Sequence, residues 1–169
     1  MKRTWVRIVL ASSIDGRIAY PEGGKTQLGK SGDRMALEEA LAWSDGILIG
    51  GQTLRDHQSI CIIKNKNLIK QRVSKGKDEQ PISLVASNQI DFPVNWLFFK
   101  QPVQRWLLQN QNKKNELILP KGFDKKINLK ITWRDSLDYL NQKGMKKIVL
   151  LGGANLISAF LQEDIIDEL

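Results

Sequence analysis

An apolar run of strand length that ends in two glycines constrains this chain more than any other feature, and it occurs twice. Residues 46–53 read Gly-Ile-Leu-Ile-Gly-Gly-Gln-Thr, and residues 147–157 read Lys-Ile-Val-Leu-Leu-Gly-Gly-Ala-Asn-Leu-Ile. A buried strand that ends in glycine lets a ligand approach the main chain closely, because no Cβ atom stands in the way. In open α/β sheets ligands bind beyond the carboxyl ends of the strands, and a helix that begins there offers free N–H groups to a phosphate. We therefore expect both glycine pairs to face one nucleotide-type cofactor.

The composition fits one globular domain with a single core, since 41% of the 169 residues are hydrophobic. The formal charge of +8 favours anionic partners such as phosphorylated metabolites, dinucleotides or nucleic acid. One cysteine, Cys61, and one histidine, His57, exclude a disulfide framework and a Cys/His zinc site. We expect a cytoplasmic protein without a metal, and we interpret Cys61 as a small buried residue and His57 as a surface or loop histidine.

Strand-like and helix-like segments alternate along the chain, which predicts an α/β fold of three layers, with a mostly parallel central sheet and helices on both faces. We expect residues 1–169 to form one domain. The predicted strands are residues 6–11, continued over 13–19, then 46–50, 81–87, 115–119, 127–133 and 147–151, and the predicted helices are 33–43, 104–109, 135–143 and 154–162.

Two expectations concern local structure in the first half of the chain. Residues 1–50 should form a strand, helix and strand whose two strands pair in parallel. The periodicity of the helix predicts that Glu38 and Glu39 point away from the core. The lysine-rich segment 64–78 is interpreted as a solvated helix or loop, because runs of charge are usually exposed.

Residues 24–31, Gly-Lys-Thr-Gln-Leu-Gly-Lys-Ser, satisfy the G-x-x-x-x-G-K-[ST] pattern of P-loop NTPases. In such a protein Lys30 would reach the phosphates and Ser31 would hold Mg²⁺. A P-loop springs directly from a buried strand, however, and here residues 20–23 separate strand and glycine. An NTPase is therefore only an alternative interpretation. A basic nucleic-acid-binding module is the other. The absence of a nucleophile-base arrangement in the sequence favours chemistry carried by a cofactor.

Each candidate motif also has a purely structural explanation. Gly152 and Gly153 could form no more than a tight turn from strand to helix, and Thr53 could simply cap a helix. Asp15 could be a turn former before Gly16.

Four segments taken together resemble the reductase family of riboflavin biosynthesis: Leu10–Ala19, Ser44–Arg55, Leu150–Leu156 and Ile165–Leu169. They occur in the order of that family and bracket almost the whole chain. The family comprises the reductase domain of the bifunctional deaminase/reductase and its stand-alone relatives. The resemblance implies a dihydrofolate-reductase-like fold and the reduction of a phosphoribosylamino-pyrimidine to its ribitylamino form, with NADPH as hydride donor. A related oxidoreductase acting on another pterin, imine or carbonyl substrate is the alternative.

The resemblance also implies roles for individual residues, with Asp15 as the catalytic candidate on the substrate side. The residues implied to bind the cofactor are Ala11, Gly50, Gly51, Thr53, Ser87, Gly152, Gly153, Ala154, Asn155, Leu156 and Ile157. The residues implied to bind the phosphorylated substrate are Lys30, Ser31, Arg34, Asp56 and His57.

The sequence departs from the family pattern mainly at substrate positions. Ile8 replaces a lysine, Leu41 an arginine, Leu151 a glutamate and His57 an aspartate, whereas the cofactor-binding features are retained. Relatives continue through further strands that help to form a homodimer. The resemblance therefore implies a domain that is incomplete at its carboxyl end and a homodimer in the complete protein.

Overall fold

The computed structural model describes residues 3–14, 31–110 and 119–169. Its strands are β1 (Trp5–Ile8), β2 (Gly46–Gly50), β3 (Ile82–Ala86), β4 (Arg105–Asn110), β5 (Lys125–Leu129) and β6 (Lys147–Gly152). Its helices are α1 (Ser31–Trp43), α2 (Gly51–His57), α3 (Lys66–Ser74), α4 (Trp133–Gln142) and α5 (Ala154–Gln162), and a 3₁₀ turn spans Leu97–Lys100. None of the helices in these ranges has both the length and the apolar character needed to cross a bilayer.

All six described strands form one parallel sheet in the order β1-β6-β2-β3-β4-β5. The predicted α/β fold with a parallel central sheet is thereby confirmed, but the predicted pairing of β1 with β2 is wrong. The two strands are parallel, yet β6 lies between them: Ile148 of β6 is opposite Val6 on one side and Gly46 on the other. The chain therefore returns near its end to complete the centre of the sheet.

Two apolar cores cover the two faces of the sheet and make the three predicted layers. Successive strand residues point to opposite faces, so that Leu48 belongs to one core and Ile47 to the other. The first core lies under α4 and α5 and fully buries Phe160. The second lies under α1 and α2 and fully buries Leu41 and Leu54. Both faces of the central strands are thus apolar, as a parallel sheet requires.

The helix predicted at residues 104–109 is wrong, because this segment forms β4. The strand pairs with β3 on one side and β5 on the other. Trp106, Leu107 and Leu108 are all buried. A short apolar run of this kind has no periodicity that separates a strand from a buried helix, so only the neighbouring strands determine its structure.

Other predicted boundaries shift by a few residues. The strand predicted at 127–133 ends at Leu129, because Thr132 caps α4 by accepting a hydrogen bond from the backbone N–H of Asp135. β1 ends at Ile8, earlier than predicted. Most of the strand predicted over 115–119 and most of the continuation over 13–19 lie outside the described residues.

The lysine-rich segment contains α3, and Arg72 within this helix is only 3% exposed. Its Nη1 donates to the carbonyl oxygens of Leu41, Ala42 and Ser44 at 3.1, 3.0 and 2.6 Å, and its Nε donates to that of Asp78 at 2.9 Å. The last carbonyls of a helix have no partner within it, and the guanidinium supplies one at the end of α1. The prediction of a wholly solvated segment is therefore wrong at Arg72, which ties α3 to the turn between α1 and β2.

Candidate functional site

The two glycine pairs meet at the carboxyl edge of the sheet. β2 and β6 are neighbours there, and their register shifts between Leu48 and Ile49. A Cβ atom at Gly50 would lie 3.6 Å from the Cα of Gly153 and 3.9 Å from the carbonyl oxygen of Gly152. Gly153 has a φ of +101°, at which an L side chain is strained. Main-chain groups of both strands are therefore open to one ligand lying across this edge.

A cleft of about 1830 Å³ runs along this edge and collects most of the predicted site residues. Those implied to bind the cofactor that line it are Ala11, Gly50, Gly51, Thr53, Ser87, Gly152, Gly153, Ala154, Asn155 and Leu156. Arg34, Asp56 and His57, implied to bind the substrate, line it as well. Ile157 does not line the cleft and is buried in the core under α5.

The remaining predicted residues cannot be placed. Asp15 and Lys30 lie outside the described residues, as does the side chain of Ser31. The same holds for the rest of the P-loop pattern at 24–31. The main chain of Ser31 begins α1.

Thr53 and the start of α5 complete the centre of the cleft. The hydroxyl oxygen of Thr53 lies 3.9 Å from the position of a Cβ at Gly50 and 4.0 Å from that of a Cβ at Gly152, so it faces both glycine pairs. α5 begins at Ala154 with Gly153 as its N-cap, and no side chain among the described residues caps it. The first N–H groups of this nine-residue helix therefore point to the cleft without a side-chain acceptor. Such an arrangement suits a phosphate group.

Ser87 and Arg55 share the space beside Gly51, towards β3. A Cβ atom at Gly51 would lie 2.6 Å from the Cβ of Ser87 and 3.2 Å from the Nη1 of Arg55, so glycine is required for this packing. The hydroxyl of Ser87 donates to the carbonyl of Gln89 at 2.7 Å. Both side chains line the cleft. The sequence analysis did not identify Arg55 as a cleft residue. The only indication was that it belongs to the segment Ser44–Arg55, which resembles the family.

The prediction that Glu38 points away from the core is wrong, because this residue is only 5% exposed. Its Oε1 accepts from the Nε of Arg34 at 2.8 Å, and its Oε2 accepts from the backbone N–H groups of Lys64 and Asn65 at 2.8 and 2.7 Å. Arg34, Glu38 and Lys64 all line the cleft. The carboxylate of Glu38 thus joins the side chain of Arg34 in α1 to the backbone of residues 64 and 65 at the same part of the wall.

Burial raises the pKa of Glu38, but the hydrogen bonds from Asn65 and Lys64 and the charge of Arg34 outweigh it and hold the pKa below its ordinary value. A carboxyl with a lowered folded-state pKa stabilises the fold above its unfolded-state pKa, and this stabilisation is lost as pH falls through the folded-state value.

Glu38→Gln is therefore expected to lower the free energy of unfolding at neutral pH, and the difference from the wild type is expected to shrink towards acid pH. Urea unfolding of both proteins at about pH 7 and about pH 3 measures this change. Glu39→Gln, at an exposed neighbouring position, is the control and should show no such pH dependence. An equal loss for Glu38→Gln at both pH values would contradict the assignment.

The segment between α2 and α3 forms one wall of the cleft and is fixed by two glutamines. The side-chain amide of Gln101 accepts from the N–H of Ile60 at 2.9 Å and donates to its carbonyl at 2.7 Å. Gln80 makes the same pair of bonds to Ile63, at 2.9 and 2.8 Å. Cys61, between these two anchors, is exposed and lines the cleft, so its predicted burial is wrong. Nothing in the sequence links either glutamine to this segment.

Positions that depart from the family pattern have different surroundings. Leu41 and Ile8 are buried in the two cores, at 0% and 4% exposure, and do not line the cleft. Leu151 and His57 do line it. His57 is half-buried at the end of α2, in contrast to a fully exposed surface histidine. Among residues 3–14, 31–110 and 119–169, no three His, Cys, Asp or Glu side chains gather as metal ligands.

Proteins of similar sequence cover almost the whole chain. The chain is 20% identical over 171 residues to the 2,5-diamino-6-ribosylamino-4(3H)-pyrimidinone 5′-phosphate reductase of Archaeoglobus fulgidus, covering 99% of this chain and 78% of that protein. It is 26% identical over 178 residues to the riboflavin biosynthesis protein RibD of Buchnera aphidicola, covering 98% of this chain and 46% of that protein.

Solved structures share the fold. A pyrimidine reductase-like protein from Corynebacterium diphtheriae superposes with a TM-score of 0.77 at 20% identity, over 97% of this chain and 71% of that one. Acinetobacter baumannii RibD superposes with a TM-score of 0.79 at 22% identity, over 98% of this chain and 44% of that one. The predicted dihydrofolate-reductase-like fold is confirmed.

The family model described as the RibD C-terminal domain matches residues 4–169. This match includes all four segments that carried the resemblance and both glycine pairs. The resemblance read from the sequence is thereby confirmed, and the chain belongs to the RibD C-terminal domain family.

Proposed function

We propose that this protein is an oxidoreductase of riboflavin biosynthesis that uses NADPH to reduce a phosphoribosylamino-pyrimidine to its ribitylamino form. The observation that carries the proposal is the meeting of two glycine pairs, from β2 and β6, in one cleft of a RibD-family domain. Similar proteins named as pyrimidinone 5′-phosphate reductases support the choice of substrate.

The centre of the cleft fits the diphosphate of a dinucleotide. The uncapped start of α5 offers N–H donors, Gly153 lets a phosphate come close to the main chain, and the hydroxyl of Thr53 lies beside both strands. When bound, a nicotinamide dinucleotide supplies the hydride for the reduction. The contribution of this chain is to hold donor and acceptor in a fixed orientation, which can by itself supply several kcal/mol of barrier reduction.

The substrate is expected at the β1 and α1 side of the cleft. Ala11 follows β1 there, and Arg34 and Lys64 are joined through Glu38 on the same wall. The guanidinium of Arg34, with the cationic residue Lys64 on the same wall of the cleft, attracts a phosphate. Because Glu38 already accepts three hydrogen bonds, its charge is largely compensated. We assign Arg34 and Lys64 to the substrate phosphate, and Asp56 and His57 to the adjoining wall.

A titration with NADPH, with NADH and Mg·ATP as parallel controls, tests the cofactor. Trp133 lines the cleft, so quenching of tryptophan emission is expected to accompany saturable NADPH binding. Turnover is then measured as NADPH consumption with the phosphorylated pyrimidine, its dephosphorylated form and dihydrofolate. Consumption only with the phosphorylated pyrimidine is expected. Turnover of dihydrofolate alone would show that the proposed substrate is wrong. Binding of Mg·ATP without binding of NADPH would overturn the proposal in favour of an NTPase.

Two further expectations belong to this proposal. A reductase of phosphorylated biosynthetic intermediates would act in the cytoplasm, where such intermediates are made. A homodimer is expected of the complete protein, and light scattering at several protein concentrations measures it.

A further inference from the structure

Glu38 is a buried carboxylate in the wall of a cleft that is proposed to bind phosphates, although its negative charge by itself repels such ligands. Its Oε2 accepts from the backbone N–H groups of Lys64 and Asn65, which belong to another segment of the chain. That segment is itself held in place, because the side-chain amide of Gln80 binds both backbone groups of Ile63. The carboxylate therefore has a fixed orientation before any ligand arrives.

The second oxygen of this carboxylate determines how Arg34 is held. Oε1 accepts from the Nε of Arg34, one helical turn earlier in α1, at 2.8 Å. Within the described ranges of the chain, no acceptor is bonded to Nη1 or Nη2 of Arg34. The side chain of Arg34 is 52% exposed and lines the cleft. A guanidinium that is held at Nε keeps both Nη groups, which together match two oxygens of a phosphate.

The ion pair of Arg34 and Glu38 differs from an ordinary pair on a helix surface. Two exposed side chains at i and i+4 contribute little, because each must lose rotamer freedom to meet the other. Here the carboxylate is already fixed by two N–H groups, and its lowered pKa keeps it ionised at neutral pH. The fold therefore orders the guanidinium of Arg34 in advance, so that a ligand does not bear that cost when it binds.

We propose that Glu38 is a positioning residue for the reduction, which holds the guanidinium of Arg34 so that both Nη groups are presented to the substrate phosphate. The inference rests on the proposed function and adds to it a residue that does not itself touch the substrate. The carboxylate has two opposite effects on an anion: its charge weakens binding, and its hold on Arg34 strengthens binding. We expect the second effect to dominate, because three hydrogen bonds compensate the charge and water reaches the half-exposed Arg34.

The test is a double-mutant cycle of Glu38→Gln and Arg34→Met, with KM and kcat measured for the phosphorylated pyrimidine at saturating NADPH. We expect Glu38→Gln to raise KM about tenfold, the value of one charge-assisted hydrogen bond, and to leave kcat unchanged. In the Arg34→Met background the same substitution should not raise KM further, because no guanidinium is left to hold. Glu39→Gln removes the same charge at an exposed position outside the cleft and should leave KM unchanged.

An unchanged or lower KM in Glu38→Gln would overturn the inference while the proposed function stands. An equal rise of KM with and without Arg34 would also overturn it, because Glu38 would then act only through the main chain at residues 64 and 65. If Glu38→Gln does not fold, Arg34→Lys decides. An ammonium held by Glu38 is a point charge without paired donors, so KM should be as high as in Arg34→Met, and a wild-type KM would overturn the inference.

The cycle also separates this inference from the proposed function. If the wild type does not reduce the phosphorylated pyrimidine, the proposed function is wrong, and the same variants are then compared by their Kd for inorganic phosphate. A Kd that rises in Glu38→Gln only when Arg34 is present would support the role of Glu38 in holding the guanidinium. A Kd that does not depend on Arg34 would overturn it.

Discussion

Gly153→Asp is expected to weaken NADPH binding by more than about a hundredfold while leaving a folded protein. A Cβ at this position would lie 3.4 Å from the Cα of Gly50, which is ordinary contact, so the fold can accept it sterically. The backbone strain at a φ of +101° lowers the free energy of unfolding by about 1–3 kcal/mol. The new carboxylate then lies where the diphosphate is expected, and like charges placed together cost several kcal/mol. At about 1.4 kcal/mol per factor of ten, this weakens binding more than about a hundredfold.

The same substitution at Gly144 is the matched control. Gly144 has a similar φ of +95°, has no atom within 4 Å of its Cβ position, and precedes β6 at the opposite edge of the sheet. Gly144→Asp should therefore lose a similar amount of stability and keep the wild-type Kd for NADPH. Thermal unfolding and fluorescence titration measure the two effects separately. Wild-type affinity in Gly153→Asp would contradict the placement of the diphosphate.

Arg72→Met is expected to cause a large loss of stability although Arg72 is a charged residue outside the cleft. The substitution keeps a long side chain but removes the donors to the carbonyls of Leu41, Ala42 and Ser44. The carbonyls of Leu41 and Ser44 keep donors from Ser44 and Lys77, so the loss comes mainly from the charged hydrogen bonds themselves, at about 1.5–3 kcal/mol each. A total loss of about 3 kcal/mol or more lowers Tm by roughly 6–12 °C for a chain of this length.

Burial lowers the pKa of Arg72, partly offset by Asp45 and Asp78, but a guanidinium remains charged at every usable pH. The loss of stability in Arg72→Met should therefore be independent of pH. Arg134→Met serves as the comparison: Arg134 also donates to main-chain carbonyls, those of Glu163 and Asp164, but at an exposed position where water can replace it, so Tm should change little. A wild-type Tm in Arg72→Met would show that water replaces the guanidinium at these carbonyls.

The glycine-terminated strands could be predicted from sequence because their signal is local. An apolar run followed by two glycines marks both the strand and its end, and Gly50 and Gly153 do meet as expected. The order of the strands could not be predicted in the same way. The pairing of β6 with both β1 and β2 depends on contacts between residues far apart in the chain, and no short-range pattern records them.

Sequence reasoning failed most clearly at buried charges. Glu38 and Arg72 occupy positions where helix periodicity and composition indicate exposure, yet each is buried by hydrogen bonds to main-chain groups of another segment. A backbone N–H or C=O is present at every residue, so the sequence does not indicate which of these groups will pair with a charged side chain. β4 was missed for a related reason, since only its neighbours β3 and β5 distinguish it from a helix.

Because β6 lies between β1 and β2, the centre of the sheet cannot form until the end of the chain has been synthesised. Gly50 leaves the ribosome about 100 residues before Gly153, and at about 5–20 residues per second this delay lasts roughly 5–20 s. Throughout it, the facing edges of β1 and β2 lack a partner, and unpaired edges readily pair with other chains. A ligand that bridges the two glycine pairs cannot protect the nascent chain, because half of its binding site has not yet been made. Translation that stalls before Lys147 therefore yields a chain that is inactive and prone to aggregate.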